Sequence, residues 1–227
     1  MLGKYRNKKI LILGGGTSTL DVRWENISYD YLWTCNEFYL EPRVYSKDLD
    51  LYALSYTVDL QNNILVNKLS NSDTTILLEP LHYREKIHSK EFKEFKQKIG
   101  RNITEKNLEL VKTPAGFSGV CFRLILLALE SEASKIYFSG FDGFNREFTN
   151  IHAFTKHPGL KDSDRRRTYE GVDTSYVNIF TDAYNYFLTK KDYSRLQNLG
   201  EGFDYNIGTP VSKAHFSLTE EVYEKIR

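Results

Sequence analysis

The chain has 227 residues, a formal net charge of +1 at neutral pH, 41% hydrophobic and 14% aromatic content. That length suits one domain with a full core and leaves little room for two, and the composition excludes a disordered chain. The near-zero charge argues against a protein that wraps nucleic acid, which needs a basic excess or stripe.

The opening segment KYRNKK leads directly into residues 9–13 (KILIL), a continuous apolar run of the kind buried on both faces of a parallel sheet. Three glycines follow, in KKILILGGGTSTLD. Glycines let backbone N–H groups approach a ligand closely, and a helix starting behind them would favour negative charge, so this turn predicts a phosphate site. Residues 31–35 (YLWTC), 49–55 (LDLYALS) and 74–78 (TTILL) read as three further strands, and 108–111 as a fifth. Residues 89–99 carry the clearest amphipathic helical spacing, and 117–133 a longer apolar helix with Thr113 or Ser118 as its start signal. Residues 135–139 (KIYFS) make another buried strand, closed by Gly140.

Residues 145–169 break this alternation: they are polar, aromatic and basic, and so long a loop in a compact domain is usually functional. The run Arg165-Arg166-Arg167 inside them suits either a solvated loop or contacts to an anionic substrate. A helix is expected to resume over 173–190, and 202–209 to supply a last short strand. Strands alternating with helices give an α/β fold with a mostly parallel sheet.

Cys35 and Cys121 lie far apart inside apolar stretches and read as small buried hydrophobes of a reducing compartment, not as a disulfide framework or metal site. No stretch approaches the roughly 20 apolar residues that span a bilayer. With no signal-peptide pattern either, the expectation is a cytoplasmic chain without a transmembrane segment.

In an open parallel sheet, ligands sit beyond the carboxyl ends of the strands. The residues there are Gly14, Gly15, Gly16, Thr17 and Ser18, then Asn36 and Glu37, Ser55, Glu79 and His82, the segment 113–118 with Ser118, and 140–142 with Gly140 and Asp142. Gly14, Gly16 and Thr19 match the dinucleotide spacing G-x-G-x-x-G only in part. After the second strand, where an NAD site holds an acidic residue, the chain has Asn36, whose amide can both donate to and accept from a different nucleotide. Each position has a plainer alternative: the glycines a tight turn, Asn36 a turn amide, Ser118 a helix cap.

GGGTSTL with CNEFYL, and then FSGVCFRLILLALESEASKIYFSGFD, resemble the bacterial sialyltransferases of glycosyltransferase family 42 and related flagellar-accessory proteins. Those carry a G-N-G-P-S-L turn, an R-C-N-x-F-Y segment and an S-G-V…I-Y-L-S-G-I-D-F segment in the same order. The likeness covers about the first 40 residues and roughly residues 115–144. It implies a single Rossmann-like (GT-A-type) domain over residues 1–227, with a lid-like insertion at about 145–172. It implies transfer of sialic acid or a related nonulosonic sugar from a CMP-activated donor to a glycan, inverting and metal-independent. The partners would be the nucleotide sugar, as donor substrate and not cofactor, and the glycan acceptor; self-association into a homo-oligomer stays open. Gly14, Gly16 and Ser18 would cradle the phosphate, Asn36 would bond the nucleotide, Ser118 and Gly119 would meet the donor, and Gly140 and Asp142 would lie near the ribose.

The departures are specific. The family's asparagine in the glycine turn is Gly15 here, its two leaving-group tyrosines correspond to Phe144 and Phe148, and its late histidine has no counterpart near Gly171. His157 in TKHPG, or else His152, is the replacement candidate for the general base, with a surface histidine as the plain alternative. These losses support an alternative in which the chain is a nucleotide-binding relative that has lost transfer.

Overall fold

The computed structural model describes residues 2–44, 49–54, 58–78, 89–99, 108–110, 119–141, 166–169, 172–175 and 193–200. The strands among them are β1 (Lys9–Leu13), β2 (Tyr31–Cys35), β3 (Leu49–Leu54), β4 (Thr75–Leu78), β5 (Leu108–Leu110), β6 (Lys135–Ser139), β7 (Arg166–Tyr169), β8 (Val172–Ser175) and β9 (Leu196–Asn198). The helices are α1 (Asn63–Ser70), α2 (Lys90–Ile99) and α3 (Gly119–Glu130).

Seven strands form one sheet in the order β5-β4-β3-β2-β1-β6-β9, and every neighbouring pair is parallel. The fold is therefore α/β with a parallel sheet, as the alternation of runs predicts. β1 is buried over four of its five residues because it lies inside the sheet between β2 and β6, with side chains facing layers on both sides. Leu11, Leu13, Leu32, Tyr52, Leu54 and Ile76 project into one apolar layer, where Leu65 and Leu69 of α1 and Phe92 and Phe95 of α2 meet them. Ile10, Ile12, Trp33, Leu51, Ala53 and Phe138 project into the other, against Leu124, Ile125 and Ala128 of α3. The period-two alternation along each strand thus supplies two cores, one per face.

α1 is short and has no sequence signal as strong as that of α2. It is started by Asn62, whose Oδ1 accepts from the amides of Ile64 (2.9 Å) and Leu65 (3.5 Å). Ser89 does the same for α2, accepting from Phe92 N at 3.1 Å. α3 stops at Glu130, three residues earlier than expected, and two residues on Glu132 takes a left-handed φ of 57°. Arg195 donates to the carbonyls of Ala133 (2.8 Å) and Leu129 (3.3 Å), tying the approach to β9 to the end of this helix.

Two expectations change. No α-helix follows β1: the connection to β2 contains the 3₁₀ turns Thr17–Leu20 and Trp24–Asn26. Leu20, Val22 and Trp24 recur every second residue, which gives no helical stripe, and Leu20 is left exposed. Of the helix expected over 173–190, residues 173–175 belong instead to β8, antiparallel to β7 with Arg167 opposite Thr174 and Thr168 opposite Asp173, and residues 176–190 lie outside the described residues. Val172, Thr174 and Thr168 are β-branched and favour extended backbone. The strand expected over 202–209 lies outside the described residues; β9, which the sequence did not announce, stands at the edge of the sheet beside β6. Most of the lid-like segment also lies outside them. No helix among the described residues is long and apolar enough to cross a membrane.

A partly buried ion pair and its hydrogen bonds join the connections on either side of β2. Glu41, 2% exposed, accepts from Arg43 Nε at 2.9 Å and Nη2 at 3.0 Å. Arg43 also donates to the carbonyls of Thr19 (3.1 Å) and Val22 (3.2 Å), and its guanidinium lies 4.9 Å from the Trp24 ring centroid. Burial alone would raise the Glu41 carboxyl; the Arg43 hydrogen bonds and charge outweigh it and hold the group below its usual range. Its stabilising contribution is complete above the unfolded value of about pH 4.3 and is lost as pH falls through the lower folded value. We expect Glu41→Gln to cost about 2 kcal/mol at neutral pH in urea denaturation. The gap to the native chain should narrow below about pH 4; a gap independent of pH would show that the ionised pair is not its source.

Candidate functional site

β2, β3, β4 and β5 add in turn to one side of β1, whereas β6 and β9 lie on the other, so the strand order reverses between β1 and β6. At such a reversal the connections leave the sheet in opposite directions and open a crevice at the carboxyl ends of the strands. Gly14 follows β1 there and Gly140 follows β6.

The two glycines meet backbone to backbone. Gly14 N donates to Ser139 O at 2.8 Å and Gly16 N to Gly140 O at 2.9 Å, extending the β1–β6 ladder past the strand ends. Gly140 has φ +75°, and a Cβ there would run into the Gly14 carbonyl; a Cβ on Gly14 would stand 2.6 Å from Gly140 O. Both positions therefore exclude a side chain, and Gly140 also requires a conformation costly to other residues.

The glycine turn directs much of its hydrogen-bonding capacity inward. The amides of Gly14 and Gly16 are committed to β6, and that of Gly15 lies beside the Cys121 sulfur. Ser18 is 7% exposed, and its Oγ accepts from Gly140 N at 3.3 Å. Thr19, fully buried, donates to Ser139 Oγ at 3.3 Å. Gly200, just past β9, packs against both Ser18 and Ser139, so three connections converge on one small polar cluster. Gly15, Gly16 and Thr17 are partly exposed and form the rim. The element behind them is a four-residue 3₁₀ turn, too short to offer the dipole of a full helix.

Asn36 stands across from this turn, directly after β2. Its φ of 50° is one that asparagine tolerates better than most residues. Its carbonyl accepts from the Tyr52 hydroxyl, and Tyr52 Oη in turn accepts from Tyr39 N at 3.0 Å. Burial, then the neighbouring Cys35, push the Tyr52 hydroxyl well above its ordinary range, so it stays a protonated donor. Asn36 therefore has a structural role in the turn Asn36–Leu40, and its side chain remains partly exposed at the rim.

Cys35 and Cys121, 86 residues apart, bring their sulfurs to 3.2 Å as free thiols beside the glycine turn. No local pattern announces this pair, because it arises from the packing of the β2 end against the first turn of α3.

Of the residues expected from sequence, Gly14, Gly15, Gly16, Thr17, Ser18, Asn36 and Gly140 thus converge on one end of the sheet, and Gly119 opens α3. Ser118, Asp142, His152 and His157 lie outside the described residues. Among the described residues no three His, Cys, Asp or Glu side chains group as a metal site would require.

Gly140→Ala is expected to lose more than about 3 kcal/mol, the left-handed backbone contributing about 1–2 kcal/mol and the clash with the Gly14 carbonyl the remainder. Gly3→Ala, where nothing stands within 4 Å of the added carbon, should change stability by less than about 0.5 kcal/mol. Thermal unfolding of both variants measures the contrast, and equal effects would contradict the contact. Compared with models of known protein families the chain matches none, and no curated protein shows significant sequence similarity to it.

Proposed function

We propose that this chain binds a cytidine nucleotide sugar beyond the carboxyl ends of β1, β2 and β6, and transfers its sialic acid or related nonulosonic sugar to a glycan. This is the activity of the family 42 enzymes it resembles, with their Rossmann-like GT-A-type domain and lid. The supporting observation is that the three separate segments of the resemblance, at Gly14–Ser18, Asn36 and Gly140, come together at the reversal of strand order. In this reading Asn36 offers its amide to the nucleotide, and the Gly15–Thr17 rim receives the phosphate. A histidine, His157 or His152, takes the proton of the acceptor hydroxyl as that oxygen attacks the anomeric carbon and cytidylate departs. Hydrogen-bond donors suffice to stabilise that leaving group, so the mechanism needs no metal.

A second reading, a nucleotide-binding relative without transfer, is favoured by the inward commitment of the Gly14 and Gly16 amides and by Phe144 and Phe148 in place of hydroxyl donors. Calorimetric titration with CMP and CDP, against NAD and UDP as controls, tests what the two share. Failure to bind CMP at millimolar concentration would sink both. Turnover of CMP-sialic acid that disappears in His157→Ala supports transfer, and binding without turnover leaves the second reading. Asn36→Gly keeps the left-handed backbone accessible while removing the amide. It should weaken CMP about tenfold, equivalent to about 1.4 kcal/mol, with thermal unfolding measured alongside to separate lost binding from lost stability.

A further inference from the structure

The sulfurs of Cys35 and Cys121 are 3.2 Å apart, and these are the only two cysteines of the chain. A disulfide needs about 2.05 Å between sulfurs, so closing one asks for a movement of little more than an ångström. The two thiols also differ in setting. Cys35 is 1% exposed at the end of β2, whereas Cys121 is partly exposed, in the first turn of α3 and against Gly14. We propose that Cys35 and Cys121 form a peroxide-reactive dithiol, in which Cys121 is oxidised first and Cys35 resolves it to an intramolecular disulfide.

The electrostatics agree with this division. The hydrogen bond shared with Cys35, then the Gly15 amide and the Arg123 charge, outweigh burial and hold Cys121 below the usual thiol range. The hydrogen bond to Cys121 and burial push Cys35 well above it. Glu37 opposes thiolate formation at both, but is not the leading influence on either. In the first step the Cys121 thiolate attacks one peroxide oxygen, the O–O bond breaks, and the departing oxygen takes up a proton as water, leaving a sulfenic acid on Cys121. Cys35 then gives up its proton and attacks Cys121 Sγ; the S–O bond breaks, and the hydroxide leaves as water with that proton. Two thiols and one hydrogen peroxide yield one disulfide and two waters. The bond would tie the end of β2, immediately before Asn36, to the start of α3 beside the glycine turn. Nothing in this inference depends on what the crevice binds.

The native chain, treated with equimolar hydrogen peroxide, should lose both titratable thiols and the mass of two hydrogens. A non-reducing digest should join the Cys35 and Cys121 peptides, and dithiothreitol should restore both thiols. Cys35→Ser should accumulate a dimedone-reactive sulfenic acid on Cys121, while Cys121→Ser should react at least tenfold more slowly. Persistence of two free thiols in the folded native chain, disulfides only between chains, or first oxidation at Cys35 would overturn the proposal. The native-chain measurements decide this even if a variant fails to fold.

Discussion

The approach of β1 to β6 at their carboxyl ends is the constraint on which the rest of the crevice depends. Gly14 and Gly140 touch through their main chains, and no side chain larger than hydrogen fits between them. Because that contact is allowed, the β1–β6 ladder continues past both strands through the amides of Gly14 and Gly16. The turn is thereby fastened, Ser18 and Thr19 are drawn under it, and β9 can bring Gly200 against the same cluster.

Polar contacts elsewhere serve connections that lack regular structure. Residues 14–30 have no α-helix to satisfy their backbone, and Arg43 supplies donors to two of their carbonyls while remaining paired with the buried Glu41. Tyr52 does the equivalent for the turn after β2, holding the Asn36 carbonyl and the Tyr39 amide from a neighbouring strand. Lys68 of α1 adds a bond to the Tyr39 carbonyl at 3.0 Å. A rim whose shape is held by side chains from β3 and α1 is positioned by the scaffold, not by its own local preferences.

A thiol pair in the same region changes the chemical character of that end of the sheet. Cys121 lies against Gly14 and beside the Gly15 amide, so the glycines that give the turn its shape also set the surroundings of the sulfur. The proposed phosphate contact and the proposed thiol chemistry would therefore share the Gly15 amide. The inward turn of the Gly14 and Gly16 amides has a structural cause, the continued β1–β6 ladder.

The strands KILIL, YLWTC and KIYFS are legible in the sequence, because a central parallel strand must be apolar on both faces and few other structures tolerate so short a continuous run. α2 is equally legible from its charged outer face and the spacing of Phe92, Phe95 and Ile99. β8 and the 3₁₀ turns after β1 are not, since elements of three or four residues carry too little periodicity to separate from a loop or a helix end. The positions of Gly14, Asn36 and Gly140 after strands are also local facts. Their convergence was decided by strand order, which depends on contacts between residues more than a hundred positions apart. The Cys35–Cys121 pair is the clearest case: sequence shows two apolar-flanked cysteines, and only the packing of α3 on the sheet makes them neighbours.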